Sequence, residues 1–541
     1  MEVTVDAATS IHSRDTCLLS AIAAAAAFGI VIVIVGPHWQ MLDDAYYAML
    51  ADGHGLVQHP VDAIPYMHPL IGLALEIFRN VGLRPSYALF LCSLLAIVAA
   101  VIGYSVARAR LGWITWVLVI GAFLSVAISL QYTAVCGLLV AAAAGLLATS
   151  GTKVPSAGLW AGSAALIWVA TMLRVEMVLM AVLCLFVPLL LSAWRDGSHA
   201  PWLASFGVSC LLVVAGFLAA NFITANHRLD EFYRLNNPMA VLMNYGYIEA
   251  LQIFKSPLPA PYLASDIALM AHWFFADLGL MDPANVAQLT ASVPVEQVLR
   301  VRYWSLLASG NSMLWTHWFW LLVGAVLISL ASPKRLIVGA GIGLFAALFL
   351  ASALFLKPLP ERVATGMAMG LFLLAVVGMG RSAPELTGRQ VLPVKLLIAL
   401  LLGTLCLITA SERQAVDREG KAWIADRSVL AGRERVYYFP GSLPLRSAYP
   451  PLGKPHALPV LIPLGSMYFT PEVLDGERAF HCGGFLRCLV AGHDVNVIAG
   501  KNQLQRLRTW LDERHGRRLV SKEFLSTQSF QMLTIKTVAM D

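Results

Sequence analysis

Residues 18–55 read LLSAIAAAAAFGIVIVIVGPHWQMLDDAYYAMLADGHG, and this stretch decides the fold class. An apolar run from about Leu18 to Val35 is long enough for the roughly 20-residue requirement of a membrane-crossing helix. It is followed at once by two adjacent carboxylates, Asp43 and Asp44. Ionisable groups inside or at the mouth of a membrane domain are costly, and are functional candidates for that reason.

The rest of the chain repeats the apolar pattern. Of 541 residues 58% are hydrophobic and 13% charged, which excludes a soluble globular protein. The hydropathy predicts eleven spans, at about 18–36, 86–106, 112–129, 131–149, 157–173, 175–193, 203–222, 313–331, 336–356, 362–380 and 393–410. The first could serve as the apolar region of a signal peptide. Its length and the lack of a small-residue cleavage site favour a retained anchor.

Basic residues set the expected orientation, because cytoplasmic loops carry the excess of Lys and Arg. With a cytoplasmic amino terminus, those loops hold Arg108, Arg110, Lys153, Arg195, Lys334, Arg335, Arg381, Arg389 and Lys395. The short opposite loops hold only Arg174, Lys357 and Arg362. This places the acidic pair, the loop 223–312 and everything after about 411 on the exterior or periplasmic face of a multi-pass plasma (inner) membrane protein. The net charge of +6 then reflects topology, and does not indicate nucleic-acid binding.

Two units are expected: a membrane domain over 1–410, with exterior loops 37–85 and 223–312, and a small α/β domain over 411–541. In the tail RVYYF (435–439), HDVNVIAG (493–500) and FQMLTIKTVA (530–539) read as strands. NQLQRLRTWLDERHG (502–516) has helical spacing and a terminal glycine. Six of the eight cysteines lie in or beside apolar spans, where cysteine behaves as a small hydrophobe. Cys482 and Cys488, in HCGGFLRC, suit a disulfide in an oxidising compartment, with a metal pair including His481 as the competing reading. No Gly-rich phosphate loop is present.

In the first loop DDAYYAMLADGHG (43–55) reads as a helix with a glycine stop and an apolar face, suited to lying along the membrane surface. One of the two Asp residues would serve as its N-cap, which leaves the second unexplained. The acidic pair, AYYAMLADGHG (45–55) and PYMHPLIGLALEIF (65–78), with His68-Pro69-Leu70, resemble the first loop of the GT-C superfamily of polytopic membrane glycosyltransferases. The plan is similar to that of protein O-mannosyltransferases, lipid A aminoarabinose transferases and mycobacterial arabinofuranosyltransferases.

The resemblance implies transfer of a sugar from a polyprenyl-phosphate donor to an acceptor hydroxyl of a glycan, glycolipid or protein. It implies Asp43 as general base, with Asp44 orienting the acceptor or holding a divalent metal. Arg362 and Lys357, in LKPLPERVATG (356–366), are candidates for the donor phosphate, against plain interfacial snorkelling. Arg174 and Glu176 in TMLRVEMVLM (171–180) resemble an Arg-Pro-Glu turn of some family members, with valine replacing proline. As an i,i+2 pair they are expected to contact other elements rather than each other. His68 is a phosphate contact or a backbone-bonded loop histidine. In SDIALMAHWFFADLGL (265–280), Asp266 and Asp277 are expected on a helix, either solvated or facing the active cavity. The alternatives are a lipid or saccharide transporter, which calls for charges near midspan, and a polysaccharide polymerase or ligase.

Overall fold

The computed structural model describes residues 2–150, 155–195, 197–223, 229–308, 310–330, 335–355, 359–381, 388–453 and 459–539. The chain is mostly helical, and apolar helices occupy all eleven of the hydropathic stretches. Six are long and apolar enough to cross a membrane: Asp15–Val35, Ser86–Arg108, Val175–Arg195, His199–Phe222, Glu361–Met379 and Leu392–Leu430. Five are shorter, at Trp113–Ala127, Tyr132–Ala148, Ala157–Leu173, His317–Leu330 and Val338–Leu354.

Two helices form the centre of the bundle. Tyr132–Ala148 carries small residues on every side and is buried along nearly its whole length. Glu361–Met379 is buried over 89% of its apolar stretch, against 11% for the peripheral His199–Phe222. The two central helices touch backbone to backbone: a Cβ added at Gly366 would stand 2.6 Å from the Cα of Gly137. Small residues permit such close crossings where no hydrophobic effect drives helices together. The crossing lies about one turn from each helix start, so it fixes Tyr132 and Arg362 relative to each other.

The first loop is folded rather than laid along a surface. His38–Trp39 pairs in parallel with Ser129–Leu130, and helix Leu42–Asp52 follows. That helix ends as expected at Gly53, whose φ of +74° suits glycine. Its residues from Asp44 to Asp52 are all buried, which overturns the membrane-surface reading. The reason is a cover supplied by the tail: Tyr46 packs on Tyr438, and Trp39 Nε1 donates to the Tyr449 carbonyl at 2.5 Å. The second loop helix, Pro69–Asn80, starts with proline after His68 as N-cap.

The last long helix runs from Gly388 to Asp426, well past the expected boundary at 410. Beyond it lies a five-stranded sheet in the order Val460–Pro463, Arg435–Tyr438, Val495–Ile498, Gln531–Ala539, Arg517–Ser526. The first three strands are mutually parallel and the last two pair antiparallel. Three fall in the runs read as strands, and helix Lys501–His515 lies where its spacing puts it. Val460–Pro463, in a proline-punctuated stretch, and Arg517–Ser526 have no counterpart in that reading. Cys482 and Cys488 are disulfide-bonded.

The long loop docks on this sheet. Only Ala264–Met270 of the expected 265–280 helix is helical. Asp266 is fully buried, neither solvated nor facing a cavity. It accepts from Trp510 Nε1 at 2.7 Å and from Arg514 Nε at 2.9 Å, both on helix Lys501–His515. Phe274 stacks on Phe439 and meets Phe485 and Trp510 beside it.

Candidate functional site

Where the bundle meets this cap, a cavity of about 460 Å³ is lined by Asp43, Arg174 and Arg362, with Tyr46, Tyr66, Asn236, Trp273 and the tail turns at Pro440–Gly441 and Gly465–Met467. Its charged residues come from two helix starts and one helix junction, far apart in sequence but all at one end of the bundle.

The two aspartates diverge. Neither is an N-cap: Met41 holds that position, without a side-chain bond, and both acids stand in the first turn. There a carboxylate is favoured by the helix dipole. Asp43 is half-buried, faces the cavity and has no ion-pair partner among the described residues. Asp44 is fully buried. Its Oδ1 accepts from Tyr87 Oη at 3.0 Å and from the Tyr132 amide at 3.1 Å, so it serves one of the free amides at the start of the central helix. Burial pushes its pKa up to about 8, the Tyr132 amide opposing and the Asp43 charge adding. It is therefore protonated at neutral pH, and its Oδ2 is the buried oxygen with no hydrogen-bond partner. Asp44 does not line the cavity, so contact with an acceptor or a metal there does not follow for it.

Arg174 is extended between helix Ala157–Leu173 and the next, with φ −166°. Because the two residues do not share one regular helix, Arg174 Nε reaches Glu176 Oε2 at 3.4 Å, contrary to the i,i+2 expectation. Glu176 is otherwise largely exposed and does not line the cavity. Arg174 also donates to Tyr132 Oη and lies 4.9 Å from the centre of the Tyr66 ring, which Asn236 holds through the Tyr66 hydroxyl. A guanidinium gripped from three sides is fixed in orientation. Arg362, one turn before Gly366, is half-buried, and no described carboxylate lies within ion-pair distance of it. Lys357 lies outside the described residues.

His68 stands apart. Its Nδ1 accepts from the Leu70 amide at 3.2 Å, and its Nε2 meets Asn221 Oδ1 at 2.9 Å. Burial lowers its pKa, with Asn221 opposing. A neutral capping histidine fits this arrangement, and the cavity does not include it. The sequence does not mark Tyr66, in the first loop, or Asn236, in the long one, as site residues, and Trp273 reads there as an interfacial-belt aromatic, because aromatics and amides in loops carry no spacing signal.

Chemically, the cavity offers one carboxylate acceptor and two guanidinium groups, Arg174 held in orientation and Arg362 without a carboxylate partner among the described residues. That is a setting for an anion beside a proton acceptor. Comparison with protein-family models, with curated proteins and with solved structures finds no match.

Proposed function

We propose that this chain is an integral-membrane glycosyltransferase of GT-C type, moving a sugar from a polyprenyl-phosphate donor to an acceptor hydroxyl. The observation that carries the reading is the one cavity lined by Asp43, without an ion-pair partner among the described residues, together with Arg174 and Arg362. In this reading all eleven apolar helices cross the bilayer, and the cavity and the α/β tail lie on the exterior face of the plasma membrane.

Asp43 takes the proton of the acceptor hydroxyl as its oxygen attacks the anomeric carbon. The bond from that carbon to the phosphate oxygen breaks, and its electron pair leaves with the polyprenyl phosphate. A phosphate leaving group needs little protonation, so one carboxylate suffices where glycoside hydrolysis uses two. Arg362, with Arg174 beside it, holds the donor phosphate and stabilises the negative charge that gathers on it. Charges clustered at one end of the bundle fit surface chemistry better than a transport path, which places them near midspan.

The test supplies membranes containing the full chain with radiolabelled polyprenyl-phosphate sugars and follows label into acceptor. Asp43→Asn is expected to cut turnover by about 10²–10⁴-fold, the range for loss of a general base. Arg362→Gln is expected to raise the KM for donor. Near-normal turnover in Asp43→Asn, or labelling that puts the 37–85 loop in the cytoplasm, refutes the reading.

A further inference from the structure

Beside the first cavity, and sharing Met41 and Arg362 with it, lies a second of about 410 Å³ lined by His38, Glu361 and Glu412. Three helices meet beside it, Glu361 and Glu412 lining it and His317 not. His317 and Glu361 are the first residues of His317–Leu330 and Glu361–Arg381, and Glu412 lies on Gly388–Asp426. One ligand-capable atom of each lies within 4.8 Å of the others.

The polar groups here are incompletely satisfied. His38 is almost fully buried, lines the cavity and leaves its Nδ1 without a partner. Glu361 Oε1 is also buried and unpartnered. Arg362 and Arg446 line the same cavity, but neither lies within ion-pair distance of Glu361 or Glu412. The His38 ring, 3.8 Å from Glu412 Oε2, pairs with it only when protonated, so the two carboxylates have no permanently charged cation within ion-pair distance among the described residues, an unfavourable arrangement.

The ring of His317 is set for ligation. Its Nε2 meets Thr409 Oγ1 at 3.0 Å, and the Thr409 hydroxyl has the carbonyls of Ser125 (3.0 Å) and Leu405 (2.9 Å) to donate to. With its one hydrogen given to a carbonyl, Thr409 accepts from Nε2–H, the tautomer that leaves Nδ1 a lone pair. Such an outer hydrogen bond fixes the tautomer of a metal-ligating histidine. Glu412 is oriented in turn by Ser129 Oγ, which donates to its Oε2 at 3.2 Å.

We propose that His317, Glu361 and Glu412 hold one divalent transition-metal ion of the zinc or manganese class. Mixed imidazole and carboxylate donors suit those ions. Ligand bonds of about 2.0–2.2 Å set tetrahedral donors about 3.5 Å apart, so the side chains close by about 1 Å on binding. Three protein ligands leave a coordination position open toward the cavity, available to water or an anionic oxygen. The assignment does not depend on the sugar-transfer reading, and it moves the metal from Asp44 to a different set of helices.

The test uses the full chain purified in detergent, stripped with chelator and dialysed against Zn²⁺ or Mn²⁺ alone. Metal content by mass spectrometry and the melting curve are both read. About one equivalent is expected, with a melting temperature above that of the stripped protein. His317→Gln and Glu412→Gln are expected to lose the metal. Thr409→Val, which keeps every ligand, is expected to weaken binding about 10–100-fold. Glu176→Gln is expected to retain one equivalent. Two results overturn the proposal: metal held equally by His317→Gln and Glu412→Gln, or a wild-type melting curve indifferent to stripping and reloading. The second reads on the native chain, so it decides even where a variant fails to fold. It is also the result expected if the two carboxylates share a proton instead.

Discussion

Asp44→Asn separates the two aspartates by thermodynamics alone. In the folded chain the Asp44 carboxyl is sealed among Tyr87, Tyr132 and the central helices, and burial lifts its pKa from 3.8 to about 8. In the unfolded chain it titrates near the ordinary value. Below about pH 4 both states carry the proton, and the group's contribution to stability is fully present. As pH rises toward 8 the unfolded state sheds the proton while the folded state keeps it, and stability falls by at most about 1.4 kcal/mol per pH unit. Between pH 6 and 8 the loss comes to about 2 kcal/mol, the slope flattening as the folded group itself ionises. Asparagine keeps an acceptor for the Tyr87 hydroxyl and the Tyr132 amide but cannot ionise. Melting curves of wild type and Asp44→Asn in detergent, taken from pH 5 to 9, give the comparison. Other titrating groups are common to both proteins, so the difference between the two curves isolates Asp44. The variant is expected to lose less stability than wild type as pH rises. Parallel curves across that range would show that Asp44 is not held protonated, and the division of roles within the pair would fail with it.

Two further substitutions probe the scaffold of the site. Glu477 is almost fully buried in the tail and accepts from Arg435, Tyr437 Oη (3.0 Å), Tyr468 Oη (3.1 Å) and the Phe485 amide (2.8 Å). Glu477→Gln leaves Arg435 without its charge partner and is expected to cost about 3 kcal/mol, read as a lower denaturation midpoint; an unchanged midpoint refutes it. Gly366→Ala sets a methyl 2.6 Å from the Gly137 backbone, which cannot yield as a side chain would. It is expected to destabilise the bundle by about 1–3 kcal/mol and to shift Arg362; thermal melts matching wild type would show that the central crossing is loose.

Much of the scaffold is legible in one dimension, because burial in an apolar medium demands long apolar stretches with internally satisfied backbone. Hydropathy alone therefore locates all eleven apolar helices, and composition fixes the membrane class. Short apolar runs locate strands Arg435–Tyr438, Val495–Ile498 and Gln531–Ala539, and the close spacing of Cys482 and Cys488 points to the disulfide that the fold forms. Asp43, Arg174 and Arg362 are recognisable as charges that an apolar domain would not carry idly. The division between Asp43 and Asp44 is not legible. Neighbours on a helix point about 100° apart, so one turns to the cavity and the other into the core, and only the packing of the helix decides which. The burial of Asp266 against Arg514 and the meeting of His317, Glu361 and Glu412 are likewise tertiary facts. Each joins residues through the meeting of separate elements, and sequence spacing carries no record of where helix ends converge.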